Sequence, residues 1–475
     1  MSRTVVVGAG LGGLSAAVHL AAAGREVVVV EAREEPGGCC GTDTAGPYTF
    51  DIGPSVLTMP GVLAATFGAA GEELDRWLPL RRLDPSYRLC FDDGSHLDVR
   101  AGEEAMIEEV RAVCGPAEAD RYRRFRRLVE RMFRLEWPAF IDADMTGPGA
   151  LARPLLLLRL AAMGGLRRLD RLAAAYLTDE RLIKAHTFQA LYVGLSPERA
   201  LGMYAVIAYM DTVGGVYYPE RGGMHAVPVA MAGLLEKLGA TIRYGTRAVR
   251  VTADGEGVSG VRLDTGELLP ARHVVVAADR LAAQTMLPPA ARDWRLRRPR
   301  LSPSCLVLHV GLEREPPGQA HHTLHFGRGW RETFAALERG RPQPDPSLLV
   351  TCPGDGTLSV LEPAPNLCGA DWDRLRPRLE ERLLARVAAL GYGDHGTAAR
   401  LVIDPRDWRR RGHTAGTPFA LDHRFTQTAW FRPSGRAPRV PGLHFAGMYT
   451  APGVGVPPVL ISGRLAAHRI LEDPR

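Results

Sequence analysis

Three glycines near the start carry the most specific chemical spacing in the chain. Gly8, Gly10 and Gly13 form GxGxxG, and Glu31 lies 23 positions after Gly8. In this spacing Gly8 makes a tight turn. Gly10, with Ala9, Leu11 and Gly12 around it, lets a pyrophosphate approach the backbone, and Gly13 lets a helix pack close to a strand. The first turn of that helix offers free N–H groups and a partial positive charge to the phosphates. Glu31, followed by Ala32, can accept hydrogen bonds from ribose hydroxyls and would repel a 2′-phosphate. The chemistry indicated is dinucleotide binding.

That chemistry needs a strand, a turn, a helix and a second strand in register. Thr4–Val7 reads as a short buried strand, Gly13 to about Ala23 as a helix with Gly24 as its stop, and Glu26–Val30 as the second strand. The stretch from Thr4 to Gly24 is apolar, but its five glycines, four of them early, and single upstream Arg exclude a signal peptide or a membrane span. Further along, Thr241–Tyr244, Val249–Thr252, Gly260–Leu263 and His273–Asp279 read as strands, with Asp279 as a helix N-cap. Ser304–Leu312 reads as a strand and Asp371–Leu390 as a helix. Near the end, the strand Leu443–Gly447 meets a Gly/Pro loop, Met448–Val459, and a helix from Leu460. So many Gly and Pro preclude a spanning helix there.

The 475 residues are 46% hydrophobic and 24% charged, which is globular composition. The net charge is +6, yet only Lys184 and Lys237 among 59 basic residues are lysine. Arg-rich coding bias accounts for the charge, and no nucleic-acid recognition spacing appears. Seven scattered cysteines without CxxC suit a reducing cytosol, with Cys39 and Cys40 as small reduced fillers. His321, His322 and His413 have no acid or further His at ligand spacing, so no metal is expected. No P-loop, HExxH or nucleophile elbow is present.

The middle of the chain is different. Tyr87–Val99 is hairpin-like, and Asp120–Arg134 is dense in Arg and aromatics. Leu151–Leu177 carries leucines flanked by Arg153, Arg159, Arg167, Arg168 and Arg171. Such a segment either lies in the interface of an anionic membrane or packs on the core with a solvated basic face; the pattern leaves both open.

The paired glycines Gly37-Gly38 and the segment Phe50-Asp51-Ile52-Gly53-Pro54-Ser55, following Glu31, resemble the FAD-containing superfamily of carotenoid desaturases, amine oxidases and protoporphyrinogen oxidase. FQALYVG (188–194), YAVIAYMDTVGGVYYP (204–219) and RGGMHAVPVAMA (221–232) resemble the bacterial phytoene desaturases, above all actinobacterial ones. The closing AG…PGxGxP…SG pattern, with Gly447, Met448 and Val456, belongs to the same resemblance, which runs from Val5 to Ile470. It implies a cofactor, FAD, held by the glycine loops, by Gly53, Pro54 and Ser55, by backbone near Val249, and by the C-terminal loop. The C-terminal helix would aim its N-terminus at the isoalloxazine and stabilise the charge of the reduced ring.

The implied fold is α/β: a Rossmann-like FAD-binding domain with an inserted α+β substrate domain and a helical, membrane-associating region. FAD-binding parts are expected at 1–60, 221–290 and 421–475, and substrate-binding parts at 61–220 and 291–420. The implied reaction removes hydride from phytoene to flavin N5, stepwise toward neurosporene or lycopene, with reoxidation by oxygen or a quinone. A carotene cis-trans isomerase, an amine-oxidase-like flavoenzyme and a non-enzymatic prenyl-lipid binder remain alternatives. The flavin carries the hard chemistry, so no general base stands out; Asp211, Tyr217 and Arg221 are the candidates. Asp211, Glu220, Asp142 and Asp144 are the acids nearest the same motifs, and each reads as structural or solvated. Two departures stand out: Cys39 where the family commonly has Arg, and one extra residue in Pro219-Glu220-Arg221-Gly222-Gly223. The protein is expected in the cytoplasm, peripherally attached to membrane.

Overall fold

A computed structural model describes residues 3–145, 154–316, 318–393 and 397–473. Leu151 and Arg153 of the Leu/Arg segment lie outside the described residues.

The nucleotide-type unit forms as its spacing requires. Thr4–Val7 and Val27–Val30 are fully parallel neighbours, joined by the helix Leu11–Ala22. That helix starts two residues earlier than the glycine pattern suggests, because Gly12 and Gly13 are tolerated in a turn packed too tightly for side chains. A Cβ on Gly13 would press into the Gly8 carbonyl and lie 3.1 Å from Ala277 Cβ. Gly24 ends the helix in a left-handed conformation with φ +76°, where glycine pays no Cβ penalty. His273–Val276 flanks Thr4–Val7 on its other side, and Leu443–Phe445 and Thr241–Arg243 complete a five-stranded parallel sheet. The runs of three and four valines in its central strands suit a parallel sheet buried on both faces.

A second, seven-stranded sheet runs Thr397–Ile403, Ser304–Leu312, Thr357–Ala364, Leu348–Thr351, His322–His325, Tyr87–Cys90, His96–Val99. Only the His322–His325/Tyr87–Cys90 pairing is parallel. It therefore draws its edge hairpin from residues far from the rest in sequence. The helix Trp372–Ala389 covers it through Leu379, Leu383 and Val387, and Asp371 caps the helix by accepting from Arg374 N–H. Pro116–Glu136 is a 21-residue helix whose buried stripe includes Tyr122, Phe125, Val129 and Met132. It continues into a single wide turn, Trp137–Ile141.

The Leu-rich region forms the helix Pro154–Ala162 and the short helix Leu169–Ala174. Of five leucines in the first, only Leu160 is buried; Leu155 is 71% exposed and Leu158 66%. No helix among the described residues is long and apolar enough to cross a membrane.

The C-terminal helix spans Val456–Leu471 and starts four residues before its expected position, inside the Pro-rich stretch, since Pro457 and Pro458 sit in the first turn where a missing N–H costs nothing. It crosses the N-terminal helix through small residues. A Cβ on Gly463 would drive into the Gly12 carbonyl and lie 2.8 Å from Ser15 Cβ. The Ser15 hydroxyl donates to Leu460 O at 2.7 Å across the same contact. Gly463→Ala should therefore force the helices apart, costing about 1–3 kcal/mol as overpacking does. The thermal midpoint should fall while secondary-structure content by circular dichroism stays unchanged; an unaltered midpoint would contradict this close packing.

Candidate active site

The glycine loops of the two chain ends converge. Gly8 N–H donates to Val30 O at 2.8 Å, and Gly8 holds φ +103°, which fixes the turn. Gly37 N–H donates to Ala9 O at 2.8 Å, so the second glycine loop is tied to the first. A Cβ on Gly38 would lie 3.2 Å from Gly10 Cα, and one on Gly12 would lie 3.0 Å from Gly447 N. Three backbone segments thus touch with no side chain between them. Gly447 N–H donates to Ser462 Oγ at 2.8 Å, which ties the C-terminal loop to its own helix.

Glu31 sits at the edge of this cradle, nearly buried. Its Oε2 accepts from Ala9 N–H at 2.7 Å and its Oε1 from Arg33 N–H at 2.9 Å. Each oxygen keeps a second lone pair for a ribose hydroxyl. Two backbone donors thus fix the carboxylate before any ligand arrives.

A cavity of about 1010 Å³ opens from this cradle. Among the sequence candidates, Gly8, Gly10, Leu11, Gly12, Glu31, Ala32, Gly37, Gly38, Gly53, Pro54, Ser55, Val249, Gly447, Met448 and Val456 line it. Ala9 and Gly13 stand behind the lining and shape the turn. Away from the glycines the wall becomes apolar, with Trp137, Phe140, Phe188, Leu191, Val206 and Met210. Asp211 lines this apolar arm; Tyr217 and Arg221 do not. Tyr217 is held in strand register opposite Leu57 and Arg82, and Arg221 is exposed in the loop beyond.

Several residues that position the site carry weak sequence signals. Asp51, one letter of the FDxGP motif, accepts from Met224 N–H at 2.7 Å, His225 N–H at 3.1 Å and Tyr218 O–H at 2.8 Å. It holds the Gly222-Gly223 turn that leads into the helix Ala226–Lys237. Gly223 is required there: a Cβ would meet the Asp51 carboxylate. Burial pushes the Asp51 carboxyl up, against those hydrogen bonds. Asp279 caps its following turn through Leu281 and Ala282 N–H, and also accepts from Thr414 and from Tyr449 O–H at 3.0 Å. One carboxylate thereby ties three distant segments of the wall. Buried Arg432 donates to Met448 O at 2.6 Å and to Gln427 O at 3.1 Å, bracing the C-terminal loop.

Cys39 lines the cavity with its Sγ 3.4 Å from His413 Nε2. Burial pushes the thiol up to about 12 and His413 down to about 4, so the pair is neutral. Both Cys39 and Cys40 are free thiols, and Cys40 donates to Met224 O. Arg33 and Arg411 also line the cavity, so two guanidinium groups share the wall with Cys39. Of the other acids, Asp142 pairs with Arg464 and Asp144 with Arg469, while Glu220 is exposed.

Residues 11–471 match the family described as flavin containing amine oxidoreductase. The chain belongs to that family. It is 45% identical to a phytoene dehydrogenase of Streptomyces griseus, over 99% of this chain and 95% of that protein. It is 34% identical to a zeta-carotene-forming phytoene desaturase of Myxococcus xanthus (99% and 94% covered). It is 31% identical to a lycopene-forming phytoene desaturase of Pseudescherichia vulneris over the full length of both. Among solved structures, putrescine oxidase bound to putrescine superposes with TM-score 0.65 at 18% identity, covering 99% of both chains. Cyclohexylamine oxidase of Brevibacterium oxydans gives 0.61 at 19%, also covering 99% of both chains. These last two establish the shared fold.

The cofactor of this flavoprotein is FAD, and the cradle fits it. Backbone without side chains faces the place for phosphates, two helix N-termini point there, and a prefixed carboxylate waits for ribose. Asp51→Ala would leave two buried N–H groups and a phenol without their acceptor, at roughly 1–3 kcal/mol for each. The variant is expected to lose FAD faster on dilution, read as release of free flavin fluorescence, with a lowered melting temperature. Retention equal to the parent's would refute the positioning role.

Proposed function

We propose that this flavoprotein desaturates phytoene, removing hydrogen stepwise toward neurosporene or lycopene. One observation supports this above the others: the cavity that starts at the glycine cradle continues into an arm walled by Trp, Phe, Leu, Val and Met side chains. Such a wall suits a long hydrocarbon. The relatives named for phytoene point the same way. When bound, FAD supplies the two-electron oxidant that takes hydride from an allylic C–H.

The chain's own residues do the rest. Gly8, Gly10, Gly12, Gly37, Gly38 and Gly447 leave room for the cofactor's backbone approach, with Glu31 on the ribose. Met448 and Val456 hold the ring's end, beside the first turn of the C-terminal helix, whose dipole favours negative charge there. Gly53, Pro54, Ser55 and Val249 complete the contact set. The apolar arm excludes water and holds the polyene near the ring. In this division of labour residues 1–60, 221–290 and 421–475 serve the cofactor, and 61–220 and 291–420 serve the substrate. Oxygen or a quinone takes the electrons afterwards.

Phytoene lives in lipid, and the exposed helix Pro154–Ala162 supports delivery from a membrane surface. Leu155 and Leu158 stand outward, with Arg159, Arg167 and Arg171 exposed around them. The helix lies against Arg134, Leu135, Pro138 and Ala139, and their neighbours Glu136, Trp137 and Phe140 wall the apolar arm. A leucine face flanked by arginine binds anionic interfaces.

Two experiments test this reading. Anaerobic incubation of the FAD-loaded protein with phytoene in liposomes should bleach the flavin and raise a long-wavelength polyene spectrum; an unchanged flavin would count against desaturation. Leu155→Glu/Leu158→Glu should cut cosedimentation with anionic liposomes by about tenfold or more, since two apolar side chains contribute roughly 1.5–3 kcal/mol each. Equal cosedimentation would remove this helix from the membrane face.

A further inference from the structure

Among the described residues, no ion pair engages two acids on the apolar arm, Asp211 and Glu136. Asp211 is 2% exposed, and its Oδ2 has no hydrogen-bond partner among the described residues. Glu136 is also 2% exposed, and its Oε1 likewise lacks a partner. Both line the cavity. Elsewhere in the protein, buried carboxylates are tied down: Asp404 by Arg376 and Arg406, Asp98 by Arg88 and Arg100, Glu118 by Thr178 and Asp179. A solvent-starved acid with an open oxygen is costly to keep unless something in the cavity uses it.

Each acid sits on a wide helical turn. Asp211 lies in Met210–Gly214, where the helix Ala205–Tyr209 widens, and Glu136 is the last residue before Trp137–Ile141. Their surroundings differ. Asp211 faces Tyr87 from the hairpin, with Tyr192 and Gln189 from the turn Phe188–Val193. The helix Glu103–Cys114 also packs on its turn, but Glu103 there is engaged by Arg126, Glu108 by Arg111 and Glu109 by Arg100. Glu104 of that helix is exposed, and the packed strand Leu57–Thr58 brings no titratable group. Burial raises Asp211 to about 8 and the Gln189 amide pulls it back, whereas Glu136 is pushed far up with nothing opposing. Asp211 can therefore change charge near neutral pH, where a general base works best; Glu136 stays neutral.

We propose that Asp211 Oδ2 is the proton acceptor in the desaturation, an assignment that rests on the desaturase reading above. The oxidant would be the FAD held in the glycine cradle, which would take up the hydride with its electron pair and stay bound. On the neighbouring carbon a C–H bond breaks, its electrons form the second bond of the new C=C, and the proton goes to Asp211. The substrate loses two electrons and two hydrogens, and the carboxylic acid later returns its proton to water.

The test is anaerobic stopped-flow flavin reduction by phytoene in liposomes, with FAD-loaded protein, across the range from mildly acid to alkaline pH. The parent rate should climb about tenfold per pH unit below the Asp211 transition and level off above it. Asp211→Asn should lose roughly 10²–10⁴-fold and show a flat profile, with its flavin spectrum and FAD retention unchanged. Asp211→Glu should restore part of the rate with a displaced transition. Glu136→Gln should keep the parent's profile. A second readout is independent of turnover. Because folding raises the Asp211 transition above its unfolded value, its share of stability is lost as pH rises from about 4 toward 8, so the melting temperature of Asp211→Asn should fall less over that interval than the parent's, keeping only the share due to the other raised acids Asp51, Glu136 and Glu362. If the parent reduces flavin but Asp211→Asn keeps its rate or its pH profile, or Glu136→Gln flattens the profile instead, the assignment is wrong. If the parent itself fails to reduce flavin, the desaturase reading fails first.

Discussion

The contact on which the site depends is helix against helix with no side chain between them. Leu11–Ala22 and Val456–Leu471 come from opposite ends of the chain and meet at Gly12, Ser15 and Gly463. Only glycine permits this approach, and the approach aims two helix N-termini at one volume. Aligned peptide dipoles then act together where phosphate and reduced-ring charge would reside. The parallel sheet serves the same end. Its strand order places Leu443–Phe445 two strands from Thr4–Val7, with His273–Val276 between them. The C-terminal loop is thereby delivered to the Gly12 turn rather than to the far side of the sheet.

Cofactor and substrate surroundings are built by opposite means. The cofactor end is backbone: N–H groups, glycines without Cβ, and carboxylates whose hydrogen bonds are already made. Asp51, Asp279 and Glu31 each hold loops, and none is free to wander. The end proposed for substrate is side chain, walled by Trp137, Phe140, Phe188, Leu191, Val206 and Met210. Polar preorganisation fixes a charged ligand at low reorganisation cost. An apolar wall gives little direction but removes water and tolerates sliding. A polyene that must present successive C–H bonds to one ring needs that second kind of surface.

The same division governs what the amino-acid sequence conveys by itself. Backbone approach leaves a compulsory residue type at a compulsory spacing, so Gly8, Gly10 and Gly13 are legible from spacing alone, and Gly37 and Gly38 through the family resemblance. Strand runs such as Val27–Val30 are nearly as clear, since a strand buried on both faces has no alternative composition. Asp51 is visible in the sequence only as a letter in a motif. Its three donors, on Tyr218, Met224 and His225, lie more than 160 positions away, and no local pattern encodes that. Glu136 leaves no trace, because Arg-Leu-Glu-Trp at the end of an Arg-rich helix looks like a solvated turn. Its burial comes from segments brought over it by the fold. Tyr217 and Arg221 illustrate the converse: they stand beside the right motif, but strand alternation turns one away from the cavity and the extra loop residue leaves the other in solvent.

Cys39 makes a further point about substitution within a constrained loop. Gly37 and Gly38 hold left-handed backbone on one side of it, and a Cβ on Gly53 would run into the Cys39 carbonyl on the other. The loop's path is therefore set by its neighbours and not by the side chain at 39. An Arg at 39 in place of the small thiol would change charge without changing backbone geometry. His413 fills the space beside the sulfur as a neutral ring, while Arg33 donates to Gly38 O at 2.9 Å and keeps a guanidinium on the same loop. Electrostatics falls off slowly compared with packing, so a positive charge a few ångströms away can replace one at the original position, whereas no other residue can replace Gly37. That asymmetry is why the glycines of this fold read as requirements and its arginines as options.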